Sequence, residues 1–229
     1  ALSLFLLSNV TAGSNGDAPQ EGQDWIITQD THVWDDEVNV KDIVVTIGKT
    51  LKLENVSLNS IGSIQIHGET EWLNSTIYHD KRDLEDNISL YSKLEIINAK
   101  LFMNATDSYN GNNANVLYVS KEAELVIRDY DNNELTTEDS SVIKGLNSHI
   151  EDFDERNNHS ISIGHCVKTV CSHSSEDPEL WYNDAKFSIQ NSYFENVYGF
   201  RLYGKNGQIE NTHFNNIGFV NMVGNSTVF

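Results

Sequence analysis

A short phrase built around asparagine recurs along this chain and constrains its fold more than any other feature. In the clearest copies an apolar residue stands two positions before the asparagine and another three positions after it, as in Ile189, Asn191 and Phe194. Neighbouring copies are 14 to 24 residues apart, or about twice that where a copy is weak or interrupted. A period of about 20 to 25 residues predicts a solenoid. The recurring asparagines are Asn55, Asn74, Asn98, Asn147, Asn191, Asn211 and Asn225.

The residues around each asparagine indicate which kind of solenoid to expect. Polar and apolar residues alternate there, as in Lys52-Leu53-Glu54, and no ten-residue segment keeps a helical period. The several leucines per unit of a leucine-rich repeat are absent. We therefore predict an all-β parallel β-helix, in which each asparagine adopts the left-handed conformation at a bend. Stacked amides would form an inward-facing ladder of hydrogen bonds.

Residues 47–58 and the asparagine phrases that follow resemble right-handed parallel β-helix proteins of the pectin-lyase-like group, over about residues 38 to 229. The resemblance implies a fold but no single activity, because this architecture hosts lyases, hydrolases, adhesins and other surface proteins. Polygalacturonase-like members carry Asn-Thr-Asp and Gly-His-Gly motifs. Here Asn-Thr-Asp is absent and Gly164-His165 is followed by Cys166, so no catalytic residue is predicted.

Pectate-lyase-like members use calcium held by carboxylates, together with an arginine or lysine base. Asp152, Asp154 and Glu155, followed by Arg156, supply these residue types, as does the segment 80–83. Because calcium takes several oxygen ligands, the resemblance implies calcium as a possible cofactor. Acidic loops are more often simply solvated, and sequence proximity does not provide catalytic geometry.

The charge balance bears on the partners of this chain. Asp and Glu total 34 against 15 Lys and Arg, which gives a formal net charge of -19. Such a surface repels nucleic acid and anionic lipid, so we predict neither as a partner. It attracts cations, although net charge also serves solubility alone.

The chain divides into three parts by composition. Residues 1–12 resemble the end of a signal peptide, with a small-residue cleavage site at Val10-Thr11-Ala12, or else form a buried or donated strand. Their apolar run is too short to span a bilayer, which needs about 20 residues. Residues 13–23 read as a linker. Residues 24–229 form the predicted β-helix, with an irregular insertion near residues 164–184, and we expect it to continue in a longer protein.

The insertion carries both cysteines. In an exported protein, Cys166 and Cys171 are expected to form a disulfide. With His165 and His173 they could instead bind zinc or copper, or remain free thiols.

A second candidate site follows from the strand alternation. The residue before the last apolar position of each phrase should point outward, and in the C-terminal half this column holds His149, Tyr193 and His213. Trp181 and Tyr182 add aromatic surface nearby. Aromatic faces with interleaved polar groups suit sugar or protein recognition, although tyrosine is also an ordinary strand residue.

Asn-X-Ser/Thr triplets are consistent with an exported protein, and the plausible glycan acceptors are Asn87, Asn104 and Asn158. We therefore predict a secreted or cell-surface binding or adhesion module for polysaccharide or surface proteins. The alternatives are a calcium-assisted polysaccharide lyase or hydrolase, and a structural subunit that self-associates through the solenoid ends.

Overall fold

The chain folds into two long sheets made almost entirely of parallel strands. A computed structural model describes residues 12–83, 86–105, 115–120, 122–129, 140–146, 159–163, 185–203, 206–223 and 226–228. These residues contain 22 strands and no helix, in one sheet of 14 strands and one of eight.

The strands fall into three sets that alternate along the sequence. The first set consists of β3 (Thr31–Trp34), β6 (Thr50–Glu54), β9 (Glu69–Leu73), β12 (Lys93–Ile97), β15 (Glu124–Arg128) and β22 (Ser226–Val228). The second consists of β4 (Glu37–Val40), β7 (Ser57–Ser60), β10 (Thr76–Lys81), β13 (Lys100–Ala105) and β16 (Ser141–Gly145). Both sets lie in the 14-stranded sheet, and two long strands run through both: β18 (Lys186–Glu195) and β20 (Asn206–Asn215).

The third set forms the eight-stranded sheet. Its strands are β2 (Trp25–Ile27), β5 (Ile43–Val45), β8 (Ile64–Ile66), β11 (Ile88–Leu90), β14 (Val116–Val119), β17 (Ser160–Ile163), β19 (Gly199–Tyr203) and β21 (Phe219–Val223). In every set a strand pairs in parallel with the strand of the same set one repeat later, so that Leu53 lies opposite Trp72 and Val45 opposite Ile66. This succession is compatible with a β-helix or a related solenoid.

Alternation along each strand buries one side of every set. In the first set one file of buried side chains has members that are each at most 1% exposed: Val33, Leu53, Trp72, Ile96, Ile127, Ile189 and Ile209. A matching file in the third set is fully buried: Ile27, Val45, Ile66, Leu90, Val119, Ile163 and Leu202. Both files belong to one continuous hydrophobic cluster. Since a one-residue slip would turn each file outward, burial fixes the register of the repeats.

Residues 13–23 pack against the first repeat, which differs from the predicted linker. β1 (Gly13–Asn15) pairs antiparallel with β3 and covers the edge of that strand. The Asp17 carboxylate accepts hydrogen bonds from the backbone and side chains of Thr28 and Gln29. These donors hold the pKa of Asp17 below its ordinary value. A single carboxylate at the chain reversal thus organises a segment whose composition alone resembles a loop.

No helix in the described part of the chain is long and apolar enough to cross a membrane.

Candidate functional site

The outer face of the second set carries the column that the sequence predicted to point outward. Pairing places seven residues in this column: Glu37, Ser57, Thr76, Lys100, Val142, Tyr193 and His213. Val142 occupies the position predicted for His149, which lies outside the described residues. In that repeat the second-set strand is formed by residues 141–145, and the role of His149 stays a prediction.

Two aromatic pairs stack on this outer face, and we call them the outer aromatic pairs. The rings of Tyr193 and His213 are 4.8 Å apart and 12° from parallel. The rings of Tyr78 and Phe102, in the neighbouring outward column, are 4.9 Å apart and 18° from parallel. Because parallel strands place equivalent side chains about 4.8 Å apart, the ring faces contact each other and the ring edges face solvent. The face therefore presents apolar edges tipped by the Tyr hydroxyl and the His nitrogens.

A file of left-handed residues turns the chain between the first and second sets. Its members with positive φ are Asp35, Asn55, Asn74, Asn98, Asn191 and Asn211, with φ between 43° and 56°. Asp129 occupies the register position between Asn98 and Asn191, and its backbone carbonyl accepts a hydrogen bond from Asn191 Nδ2. Asparagine and aspartate are the non-glycine residues that tolerate this conformation best.

The prediction that this file faces inward was wrong. Asn55, Asn74 and Asn211 are exposed, and Asn98 and Asn191 are half-buried. A bend that joins two strands with buried inner side chains leaves its own side chain on the convex, solvent side. Hydrogen bonds nevertheless run along the file, because Asn55 Nδ2 donates to Asp35 Oδ1 at 3.0 Å and Asn211 Nδ2 donates to Asn191 Oδ1 at 2.8 Å.

In two of the predicted phrases, the described flanking residue pairs at another register position. Gly145 pairs with Met103 in the second set, so the phrase around Asn147 begins after the bend of its repeat, which Asp129 occupies. Val228 pairs with Ile209 in the first set, so the phrase around Asn225 precedes a bend rather than forming one. Asn147 and Asn225 themselves lie outside the described residues.

A second, shorter file escaped the sequence analysis. Asn196 and Asn216 follow the second-set parts of β18 and β20 and have φ values of 54° and 53°. Asn216 Nδ2 donates to Asn196 Oδ1 at 2.8 Å. The 20-residue spacing of these asparagines is the signal that could have identified them.

The most buried polar cluster joins the second and third sets, and we call it the polar corner: His79, Asn115 and His159. All three side chains are fully buried. Asn115 Nδ2 donates to His79 Nδ1 at 2.7 Å, and the Asn115 backbone N–H donates to His159 Nδ1 at 3.3 Å. His79 Nε2 donates to the Gly62 carbonyl at 2.7 Å, and His159 Nε2 donates to the Leu146 carbonyl at 2.8 Å.

These contacts fix the protonation of both imidazoles. A carbonyl oxygen can only accept, so Nε2 carries the proton in both rings and Nδ1 accepts. Burial lowers the pKa of His79 and lowers that of His159 to about 4, and the nearby Lys81 ammonium lowers both further. Both rings are neutral at physiological pH with every ring nitrogen engaged. The polar corner therefore binds successive repeats to one another and leaves no imidazole nitrogen for proton transfer or metal ligation.

Two predicted glycan acceptors lie close to the polar corner. Asn87 Oδ1 accepts hydrogen bonds from Lys81 Nζ at 3.0 Å and from the Val116 backbone N–H at 3.3 Å. Asn104 Nδ2 donates to Asp80 Oδ1 at 3.2 Å. Both asparagines are half-buried. The segment 80–83 thus has its lysine buried and hydrogen-bonded to an amide.

The remaining predicted site residues fall outside the described part of the chain, and their roles stay predictions. They are Trp181 and Tyr182 of the binding surface, the Cys166–Cys171 pair with His165 and His173, the carboxylates Asp152, Asp154 and Glu155, and the acceptor Asn158. Within the described ranges, no three His, Cys, Asp or Glu side chains are close enough together to hold a metal ion.

Comparison with known proteins found no match among family models, curated proteins or solved structures.

Proposed function

We propose that the three sets close into a right-handed parallel β-helix, as the pectin-lyase-like resemblance implies. Three parallel sets, two of them lined by a continuous buried file, and bends at a fixed register position support this architecture. Each repeat buries its apolar side chains only against its neighbours, which is the way that solenoids gain stability.

We further propose that the protein is an exported or cell-surface binding module whose ligand is a polysaccharide. The outer aromatic pairs carry this proposal. They lie on the outer face of the second set, and Tyr78 is 41% exposed although it stacks on Phe102. Export is supported by the apolar run at residues 1–10 and by the Asn-X-Ser/Thr triplets.

The chemistry of the face favours a sugar chain. Ring edges offer apolar contact to C–H groups, while the Tyr hydroxyl and His nitrogens can donate to or accept from sugar hydroxyls. The strand Ser141–Gly145 lies between the two pairs, and its Val142 is buried, so the pairs are two separate contact points. With repeats about 4.8 Å apart, Tyr78 and His213 lie about 19 Å apart along the stacking direction. That length matches an extended ligand rather than a single small molecule. Because the protein has a formal net charge of -19, it repels a polyanionic chain, so we expect a neutral one.

Affinity electrophoresis in gels that contain neutral polysaccharides tests the proposal. We expect at least one polysaccharide to retard the protein, and Tyr78→Ala and Tyr193→Ala each to weaken the retardation. The matched control is Tyr91→Ala, because Tyr91 is 40% exposed and stacks on His67 but lies at the end of a third-set strand. Failure of every neutral polysaccharide to retard the wild type contradicts the proposal, as does equal loss in all three variants.

The calcium-assisted lyase or hydrolase remains the alternative of a different class. Asp152, Asp154 and Glu155 lie outside the described residues, and in the segment 80–83 the Asp80 carboxylate accepts a hydrogen bond from Asn104 Nδ2.

A further inference from the structure

Two bends in the file of left-handed residues coincide with acceptor sequences for N-linked glycans. Residues 55–57, Asn-Val-Ser, and residues 74–76, Asn-Ser-Thr, both match the Asn-X-Ser/Thr triplet. An inward-facing file would leave no room for a glycan at either bend. Because Asn55 and Asn74 are both exposed, the structure removes that obstacle.

The repeat places the amide and the hydroxyl of such a triplet on the same outer surface. Asn74, with a φ of 50°, lies on the convex side of its bend. The next residue, Ser75, points inward and is 2% exposed. Thr76 then begins the second-set strand and points outward, opposite Ser57 of the preceding repeat. The other asparagines of the file have no Ser or Thr two positions later, so they are not acceptors.

The side-chain amide of Asn74 is available for modification. Among the described residues, no hydrogen bond involves this side chain. Asn55 Nδ2, in contrast, donates to Asp35 Oδ1 at 3.0 Å. The strands on either side of the two bends pair in register, so Asn55 and Asn74 are about 4.8 Å apart and glycans on both would crowd each other. Asn74 is therefore the better acceptor of the two.

The fold uses the amides of the other two described acceptor triplets. Asn87 Oδ1 accepts hydrogen bonds from Lys81 Nζ and from the Val116 backbone N–H. Asn104 Nδ2 donates to Asp80 Oδ1. Both asparagines are half-buried. A sugar on Nδ2 needs open solvent around the amide, which an exposed bend provides and a half-buried side chain does not.

We propose that Asn74 carries an N-linked glycan, transferred from a lipid-linked oligosaccharide phosphate. Asn74 Nδ2 forms a bond to C1 of the first sugar, and the bond between that carbon and the phosphate oxygen breaks. The electron pair leaves with the lipid phosphate, and Nδ2 gives up one proton to a base of the transferring enzyme. That enzyme recognises the Thr76 hydroxyl. Because the triplet is read in exported proteins, the proposal rests on the export that the proposed function includes.

The test is secretion of the full chain from yeast behind a yeast leader, so that the host supplies the export. Endoglycosidase H leaves a single N-acetylglucosamine on each modified asparagine, and peptide mass spectrometry then gives the occupancy of each triplet. We expect Asn74 to be occupied, and more often than Asn55, Asn87 or Asn104. A higher occupancy at any of these three would overturn the proposal, as would an unmodified Asn74.

Two matched substitutions show whether the triplet itself directs the glycan. Thr76→Val should abolish modification of Asn74, because it removes the hydroxyl but keeps a β-branched strand residue. Thr50→Val makes the same change at an exposed position outside any acceptor triplet and should leave the glycan in place. Equal occupancy of Asn74 in the two variants would contradict the proposal. If either variant is not secreted, the occupancies in the wild type still decide.

Failure of this proposal is distinguishable from failure of the proposed function. The glycan is read on chains that the host exports, whatever the protein binds. Retardation by neutral polysaccharides is measured on the unglycosylated chain, and it does not depend on Asn74.

Discussion

Asn211 donates its side-chain N–H to Asn191 Oδ1 across 2.8 Å, although the two residues are 20 positions apart in the sequence. Both have positive φ, and each ends the first-set part of its strand. One residue type therefore does two things at each bend. It accepts a backbone conformation that most side chains resist, and it hydrogen-bonds the same residue in the next repeat.

The bend asparagine should contribute measurably to stability. We expect Asn191→Leu to lower the free energy of unfolding by about 1–3 kcal/mol, because leucine disfavours positive φ and makes no hydrogen bond to Asn211. Asn191→Gly keeps the bend but loses the side-chain bonds, so its cost should be nearer 1 kcal/mol. Urea denaturation measures both. A neutral Asn191→Leu would show that the file contributes nothing to stability.

The polar corner should make the protein sensitive to acid. The pKa of His159 is about 4 in the folded state and about 6.5 in an unfolded chain. As the pH falls from 6.5 towards 4, the unfolded state takes up a proton that the native state does not, so stability falls by about 3 kcal/mol. His79, whose pKa burial also lowers, adds to the loss. Denaturation at pH 7 and pH 4.5 measures it.

His159→Gln serves as the control for the acid effect. Glutamine can still donate to the Leu146 carbonyl but does not titrate, so the variant should start less stable and lose less between pH 7 and pH 4.5. Equal losses in the variant and the wild type would assign the acid sensitivity to other groups.

Gly207 should not tolerate a side chain. It lies opposite Phe187 in the first set, and a Cβ there would overlap the Phe187 ring. We expect Gly207→Ala to cost about 1–3 kcal/mol through overpacking. Phe187→Ala in the same chain should make the glycine substitution nearly neutral, because the overlapping atoms are gone. Non-additivity in this double-mutant cycle, measured by thermal unfolding, is the expected result; simple additivity contradicts the packing.

An ion pair of the first set and one of the second set should contribute differently to the free energy of unfolding. The Lys52 ammonium lies 3.2 Å from the Glu54 carboxylate and 3.3 Å from that of Glu71. All three side chains are more than a third exposed. Lys52→Gln should therefore change stability by less than about 1 kcal/mol. Lys144 lies 2.8 Å from Glu195, which is only 19% exposed. Lys144→Gln leaves that carboxylate shielded and should cost about 1–3 kcal/mol. Chemical denaturation of both variants should reproduce this order.

The sequence predicted the parallel strands because alternation and a period near 20 residues are both local signals. It misjudged the direction of the bend asparagines, since exposure at a bend depends on which side of the flanking strands is buried. It could not tell that Gly145 and Val228, in the phrases around Asn147 and Asn225, pair at other register positions, because only pairing reveals that. The polar corner was missed because Asn115 is 36 residues from His79 and 44 from His159, and the three meet only through the register.

Disulfide trapping measures the parallel, in-register stacking most directly. Ser188 and Gln208 lie opposite each other on the outer face of the first set, so their Cα atoms should be about 4.8 Å apart, within the range that a disulfide can bridge. With Cys166 and Cys171 replaced by serine, we expect Ser188→Cys/Gln208→Cys to cross-link under mild oxidation. Ser188→Cys/Glu210→Cys, shifted by two residues along the strand, should remain reduced. Efficient cross-linking of the shifted pair, with the aligned pair left reduced, would contradict the stacking.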